Sequence, residues 1–276
     1  MTIISINRWL FTDFPIRRLT RILSEIGFNA IELAARDILK GSYESLESLR
    51  KCLDMYGLEV SAINAVTSFV PYIHGSITSK ISWRREKFLR LLENIIERMT
   101  ILRCTRLVIS PGRQAENYQT LDEAWRTTVK SLRRLGKYAM QYNVEILLEA
   151  MPFRTPFIYS RDILGFIKEV AQPNVHAAID TGHVRLAGES LKTAIENLGD
   201  LLRYVHLSNV RIEPGRPLLD EHRPLYDGSI SPDEYKTLLS EVGDVPLAIN
   251  VVSSEDPIIC ARKCLRLVRE WHTMFS

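Results

Sequence analysis

Three ionisable residues each end a short apolar run. Glu149 follows Ile146-Leu147-Leu148, Asp180 follows Ala177-Ala178-Ile179, and His206 follows Tyr204-Val205. A fourth run, Leu247-Ala248-Ile249, ends on Asn250. An ionised carboxylate at the end of a buried strand is costly unless its charge is paired. Taken singly, such a residue has another use: Asp180 precedes Thr181-Gly182-His183 and is a good helix N-cap. Taken together, two carboxylates and an imidazole are the donor types of a Mn2+, Co2+, Mg2+ or Zn2+ site. The cation would also offset the desolvation of the carboxylates; a metal-free polar cluster is the alternative. His183, Asp220 and His222 form a second candidate group, fit for a second metal or for substrate. Spacing alone favours a solvated loop there.

These residues converge only if the chain alternates strand and helix. Eight β-branched or apolar runs read as strands: Ile3–Ile6, Ala30–Leu33, Glu59–Ile63, Arg106–Ile109, Val144–Leu148, Val175–Ile179, Tyr204–Leu207 and Pro246–Val251. Between them lie stretches of helical period. Ile16–Ile26, with Leu19, Ile22, Leu23 and Ile26 on one face, stops at Gly27. Tyr43–Tyr56, Trp83–Leu102, Leu121–Tyr142, Ser160–Val170, Ser190–Leu198, Pro232–Val242 and Pro257–Phe275 complete the set. Eight such units in 276 residues predict an α/β fold of one domain, a (β/α)8 TIM barrel over residues 1–276. An open doubly wound sheet usually carries a glycine-rich phosphate loop after its first strand, where this chain has Asn7-Arg8-Trp9. In a barrel, the residues closing each strand line the active site, and consecutive strands are neighbours.

Composition sets wider limits. A hydrophobic fraction of 46%, a charged fraction of 25% and a net charge of +3 describe an ordinary globular protein, not a disordered one. The charge neither demands nor excludes nucleic acid. No run approaches the roughly 18 apolar residues of a membrane span, and the short start MTIISINRWLF lacks the pattern of a signal peptide. Cys52, Cys104, Cys260 and Cys264 form no C-x-x-C and read as buried free thiols. These features predict a cytoplasmic protein.

The sequence resembles the xylose isomerase-like superfamily of TIM barrels, which holds sugar and sugar-phosphate isomerases and epimerases, inosose dehydratases and the AP endonuclease IV family. The resemblance rests on Gly27-Phe28-Asn29-Ala30-Ile31-Glu32-Leu33, Leu107-Val108-Ile109-Ser110-Pro111-Gly112, Leu147-Leu148-Glu149, Ile179-Asp180-Thr181-Gly182-His183 and Val205-His206-Leu207-Ser208. It extends to Asp220-x-His222 leading into Tyr226-Asp227-Gly228-Ser229-Ile230. It implies a divalent metal held by Glu149, Asp180, His206 and a strand-8 glutamate, a position at which this chain has Asn250, whose amide oxygen could ligate the metal instead. It also implies substrate contact or zinc binding by His183, with Asp220 and His222 as further zinc ligands. Two departures bear on function. Ser110 stands where a three-zinc endonuclease has a histidine, and Asn64-Ala65-Val66 follows strand 3 with only the distant His74 beyond it. The family's 3-epimerases use a glutamate on each face of the substrate, and Asn250 leaves only Glu149.

The resemblance therefore implies a divalent-metal-dependent sugar or sugar-phosphate isomerase/epimerase-like enzyme, with one-base isomerisation or dehydration favoured over two-base epimerisation. Glu149 would abstract the proton beside a carbonyl, and His183 would hold or protonate a substrate oxygen. Arg211, Arg216 and Arg223 would grip a phosphate or carboxylate, or form a solvated basic loop. Trp9, Phe69 and Trp83 would wall a sugar pocket or simply pack. Glu32 would face the pocket, or pair with Arg36. The partner is a small polyol or sugar, with no membrane, nucleic acid disfavoured, and homo-oligomers common among such barrels. The alternatives are an endonuclease IV-like phosphodiesterase on abasic DNA and a non-catalytic ligand-binding barrel.

Overall fold

The computed structural model describes residues 2–66, 76–112, 120–152, 155 and 157–273. Phe69 and His74 lie outside them, as do the last residues of the final expected helix. The strands are β1 (Ile4–Asn7), β2 (Ala30–Ala34), β3 (Glu59–Asn64), β4 (Arg106–Ile109), β5 (Glu145–Glu149), β6 (Val175–Asp180), β7 (Leu202–Leu207) and β8 (Leu247–Ile249). They form one closed barrel in chain order. All pairs are parallel, and β1 closes on β8 through Ile4↔Leu247 and Ile6↔Ile249. The expected TIM barrel is the observed fold.

The helices are α1 (Ile16–Ile26), α2 (Ala35–Leu39), α3 (Tyr43–Met55), α4 (Ser82–Met99), α5 (Leu121–Met140), α6 (Ser160–Val170), α7 (Thr181–Leu186), α8 (Leu191–Leu198), α9 (Pro232–Val242) and α10 (Pro257–Thr273). The short α2 and α7 were not legible from periodicity, because one turn and a half holds too few apolar repeats. Each begins where its strand ends. Among the described residues, no helix is long and apolar enough to cross a membrane.

The main core packs the outward strand faces against the helices, with Ile6, Leu33, Leu53, Ile96, Leu135 and Phe166 buried in it. A second cluster fills the barrel itself: Ala62, Val66, Val108, Leu147, Met151, Ala178, Tyr204 and Ala248. Side chains alternate along a strand, so the residue two positions beyond an inward one also faces inward. Two positions beyond Leu147, Ala178, Tyr204 and Ala248 stand Glu149, Asp180, His206 and Asn250. The apolar floor of the barrel thus carries a polar layer at its C-terminal mouth. Cys104, Cys260 and Cys264 are buried free thiols, and Cys52 is half-buried.

Candidate metal centre

Register brings the three ends together. In β5 and β6, Leu148 pairs with Ala177 and Glu149 with Ala178. In β6 and β7, Asp180 pairs with His206. Glu149, Asp180 and His206 are buried, and each offers one ligand atom within 4.8 Å of the others. His206 Nδ1 lies 2.7 Å from Glu149 Oε1. Asp180 Oδ1 accepts from the Ser208 hydroxyl at 2.6 Å and from the His183 backbone N–H at 3.0 Å. Asp180 therefore caps α7 as well as facing the cluster. The expectation of Asn250 at the strand-8 position agrees with the register, since its N–H donates to Leu207 O at 2.8 Å. The other candidate for that place, Glu255, is exposed on the rim. The Asn250 amide nitrogen donates to Asp180 Oδ2 at 2.9 Å.

The second group joins the first through Asp180. Ligand atoms of Asp180, His183 and His222 also lie within 4.8 Å of one another. Asp220 Oδ1 is 3.4 Å from His183 Nε2 and 3.2 Å from His222 Nε2. His183 Nδ1 is 3.7 Å from Glu149 Oε1, and His222 Nδ1 is 3.7 Å from Asp180 Oδ2. The loop after β7 returns to the mouth through an antiparallel bridge between Asn209 and Arg223. Gly228 permits this: a Cβ there would lie 2.2 Å from Asn209 Oδ1 and 2.7 Å from the Val210 carbonyl. Val252 N then donates to His222 O at 3.2 Å. His222 itself takes φ 45°, a left-handed conformation that costs energy in a non-glycine residue and clusters at functional sites.

Burial and charge oppose each other throughout the site. Burial disfavours an ionised Asp180, but His183, His222 and His206 together hold its pKa below the ordinary carboxylate value. Burial would neutralise His206, yet the Glu32 and Glu149 carboxylates raise its pKa well above that of free histidine. His183 is likewise opposed by burial and pushed up to about 10, by Asp180 first and then Asp220. Asp220 is drawn down by His183 and His222 despite its own burial. Both ring nitrogens of His183, His222 Nδ1 and Asp220 Oδ1 are buried without a hydrogen-bond partner. Orphaned buried polar atoms are rare in folded proteins and call for an explanation such as an ion. Here His183 Nδ1 faces Glu149, His183 Nε2 faces Asp220 Oδ1, and His222 Nδ1 faces Asp180. The donor set of oxygens and imidazoles fits a divalent transition metal or Mg2+.

The remaining expected site residues sit elsewhere. Glu32, expected to meet substrate, is 0% exposed, and its carboxylate is engaged by His206, Asn7 and Asn64. It makes no pair with Arg36, whose guanidinium lies over the Trp9 ring. Trp83 is 63% exposed in the first turn of α4, under the Arg84 guanidinium. Arg211 bonds Asp227 at 2.9 Å, and Arg223 bonds the same carboxylate, so both brace the loop that carries His222. Arg216 pairs with Glu213. Sequence reasoning missed Asn7, Asn64 and Ser208. Asn7 and Asn64 close β1 and β3 as Glu149 closes β5, a signal that amides carry less visibly than charges.

Fold and site together define a barrel whose polar mouth gathers two groups of residues that could hold a metal ion. The chain belongs to the xylose isomerase-like TIM barrel family, whose model matches residues 20–266. It is 23% identical over 275 residues to an uncharacterized protein of Methanocaldococcus jannaschii, a match covering 92% of this chain and 94% of that one. The solved D-psicose 3-epimerase from Clostridium cellulolyticum H10, with D-tagatose, superposes with a TM-score of 0.81 at 18% identity, over 99% of each chain. The IolI protein with a bound zinc atom superposes at 0.79 and 18% identity, over 100% of this chain and 98% of that one. At such identities the structural matches speak for the fold. The solved structures similar to it include sugar epimerases.

Proposed function

We propose that this chain is a divalent-metal-dependent isomerase of a sugar or sugar phosphate, or a lyase that begins with the same proton removal. The observation that carries the reading is the burial of Glu149, Asp180 and His206 with ligand atoms within 4.8 Å of one another at the barrel mouth. Those three residues would hold the ion, with Asn250 beside Asp180. When bound, a divalent ion supplies Lewis-acid stabilisation of negative charge developing on a carbonyl oxygen, worth several kcal/mol. Its identity is left among Mn2+, Co2+, Mg2+ and Zn2+.

The chain's own groups supply the proton transfers. Glu149 takes the proton from the carbon beside the carbonyl, and the C–H electron pair becomes the new C=C bond of an enediol. A protonated His183 gives its proton to the carbonyl oxygen, becoming neutral. In an isomerisation, Glu149, after exchange of its proton with solvent, protonates the neighbouring carbon on the same face, and His183 recovers a proton from the hydroxyl there. In a dehydration, a β-hydroxyl leaves with a proton instead. Neither course needs a second base, which the amide of Asn250 could not supply. Positioned acid–base groups of this kind contribute about 10²–10⁴-fold.

The test is metal content and turnover on a sugar panel in D2O with Mn2+ or Co2+ added, for wild type and Glu149→Ala. The expected result is about one equivalent of metal bound, solvent deuterium at the α-carbon and a loss of about 10²–10⁴-fold in the variant. An inverted carbon in the product would overturn the one-base course, and full activity in chelator would overturn the metal. The sharing of Asp180 between two ligand groups favours one second reading, a two-ion site suited to phosphodiester hydrolysis. Two equivalents of metal and cleavage of abasic DNA would establish it instead.

A further inference from the structure

We propose that Glu32 is a positioning residue, one that fixes which ring nitrogen of His206 faces the ion. The inference rests on the metal site proposed above and concerns a residue outside its ligands. Glu32 enters the barrel at an irregularity: β2 and β3 pair Ile31 with Val60 but Glu32 with Ala62, so Ser61 is skipped. Its side chain lies behind the His206 ring, with Oε2 2.7 Å from Nε2. On the other side of the ring, Nδ1 is 2.7 Å from Glu149 Oε1. The ring is thus held between two carboxylates, one in the ligand cluster and one beneath it.

The lower carboxylate is itself fixed. Glu32 Oε1 accepts from Asn64 Nδ2 at 3.2 Å and also from Asn7 Nδ2. Both amides are oriented by their own backbones. Asn7 Oδ1 accepts from Trp9 N at 2.8 Å, and Asn64 Oδ1 accepts from Val66 N at 3.1 Å. Each amide oxygen is therefore assigned away from Glu32, and each nitrogen toward it. Three donors hold the carboxylate, and none of its contacts leads to the opening. Tyr204 packs edge-on against the His206 ring from below, with centroids 5.3 Å apart, and its hydroxyl bonds Ser61 at 2.8 Å.

A carboxylate offers only acceptors, so Nε2 must carry hydrogen. A cation held at Nδ1 in place of its proton would leave the ring as the Nε2–H tautomer. A carboxylate behind a metal-bound histidine also makes it a stronger ligand, and loss of such a partner typically costs about 10–100-fold in metal affinity.

The test measures Zn2+ affinity by calorimetry for wild type, Glu32→Gln and Glu32→Asp, with thermal melting of each in chelator. Long-range ¹H–¹⁵N spectra of the zinc-loaded proteins report the His206 tautomer. The expected result is His206 protonated at Nε2 in wild type, an affinity about 10–100-fold weaker in Glu32→Gln, and partial recovery in Glu32→Asp. A purely structural role would lower the melting temperature in chelator and leave affinity unchanged. Should Glu32→Gln fail to fold, Asn64→Ala removes one donor from Glu32 and keeps its charge, and a weaker affinity is expected there too. Unchanged affinity in these variants, or Nδ1–H in wild type, overturns the role of Glu32 and leaves the metal site standing. A wild type that binds no zinc, Mn2+ or Co2+ overturns the metal site and this role together.

Discussion

The side-chain amide of Asn250 donates to Asp180 Oδ2 at 2.9 Å. An amide nitrogen is a donor, so Asn250 satisfies an oxygen that a carboxylate at the same place would repel. Asp180 Oδ2 is also within 3.7 Å of His222 Nδ1. A neutral partner of Asp180 thus stands where the family resemblance implies a fourth anionic ligand. Asn250→Glu should bind a divalent ion about tenfold more tightly, or ~1.4 kcal/mol, and should melt lower in chelator through repulsion with Asp180. Calorimetry and melting curves on the two proteins check both. Equal affinities would place Asn250 outside the ion's reach.

The His183–Asp220 pair predicts how the metal-free protein responds to pH. The folded pKa of His183, about 10, lies above its ordinary 6.5. Its contribution is therefore complete below 6.5 and is lost as pH rises through about 10. The folded pKa of Asp220 lies below its ordinary 3.8. Its contribution is present above 3.8 and is lost as pH falls further. In chelator, the melting temperature should be highest between these limits and should decline from near neutral pH upward. Asp220→Asn should lessen that decline, although the raised pKa of His206 will keep part of it. An identical slope in the variant would mean that the pair does not couple to folding.

Gly182 has no room for a side chain. A Cβ there would stand 2.5 Å from Ser208 Oγ, 2.9 Å from Val210 Cγ1 and 3.1 Å from Asp180 Oδ1. Its N–H also donates to Ser208 Oγ at 3.2 Å, and that hydroxyl is the group that holds Asp180. Gly182→Ala should cost about 1–3 kcal/mol by overpacking, or roughly 2–4 °C of melting temperature per kcal/mol. It should weaken metal binding as well, because Asp180 must move. A variant that melts lower but binds metal normally would show that the strain relaxes toward Val210 instead.

Much of the architecture was legible because a parallel barrel writes itself locally. Each strand is buried on both faces and reads as an apolar run, as Ile146-Leu147-Leu148 does, and each helix shows its period. The first ligand group was legible for the same reason. A charge that ends an apolar strand is conspicuous, and alternation places Glu149, Asp180 and His206 on the inner face without further information.

The sequence by itself therefore determined the barrel, the strand ends and the chemical types at the mouth. Tertiary structure alone decided what each residue touches. Glu32 looks like the other strand-end acids, yet the register irregularity at Ile31/Glu32 accompanies a carboxylate set against His206 Nε2. Arg211 and Arg223 carry free-looking charge in the sequence, but the folded loop ties both to Asp227. His222 reaches Asp180, and Asp220 reaches His183, only because the Asn209–Arg223 bridge turns the loop back over the barrel. Propensity and period are properties of neighbours in the chain. The partners of a buried charge are set by desolvation, which acts on whatever the closed barrel brings within a few ångströms.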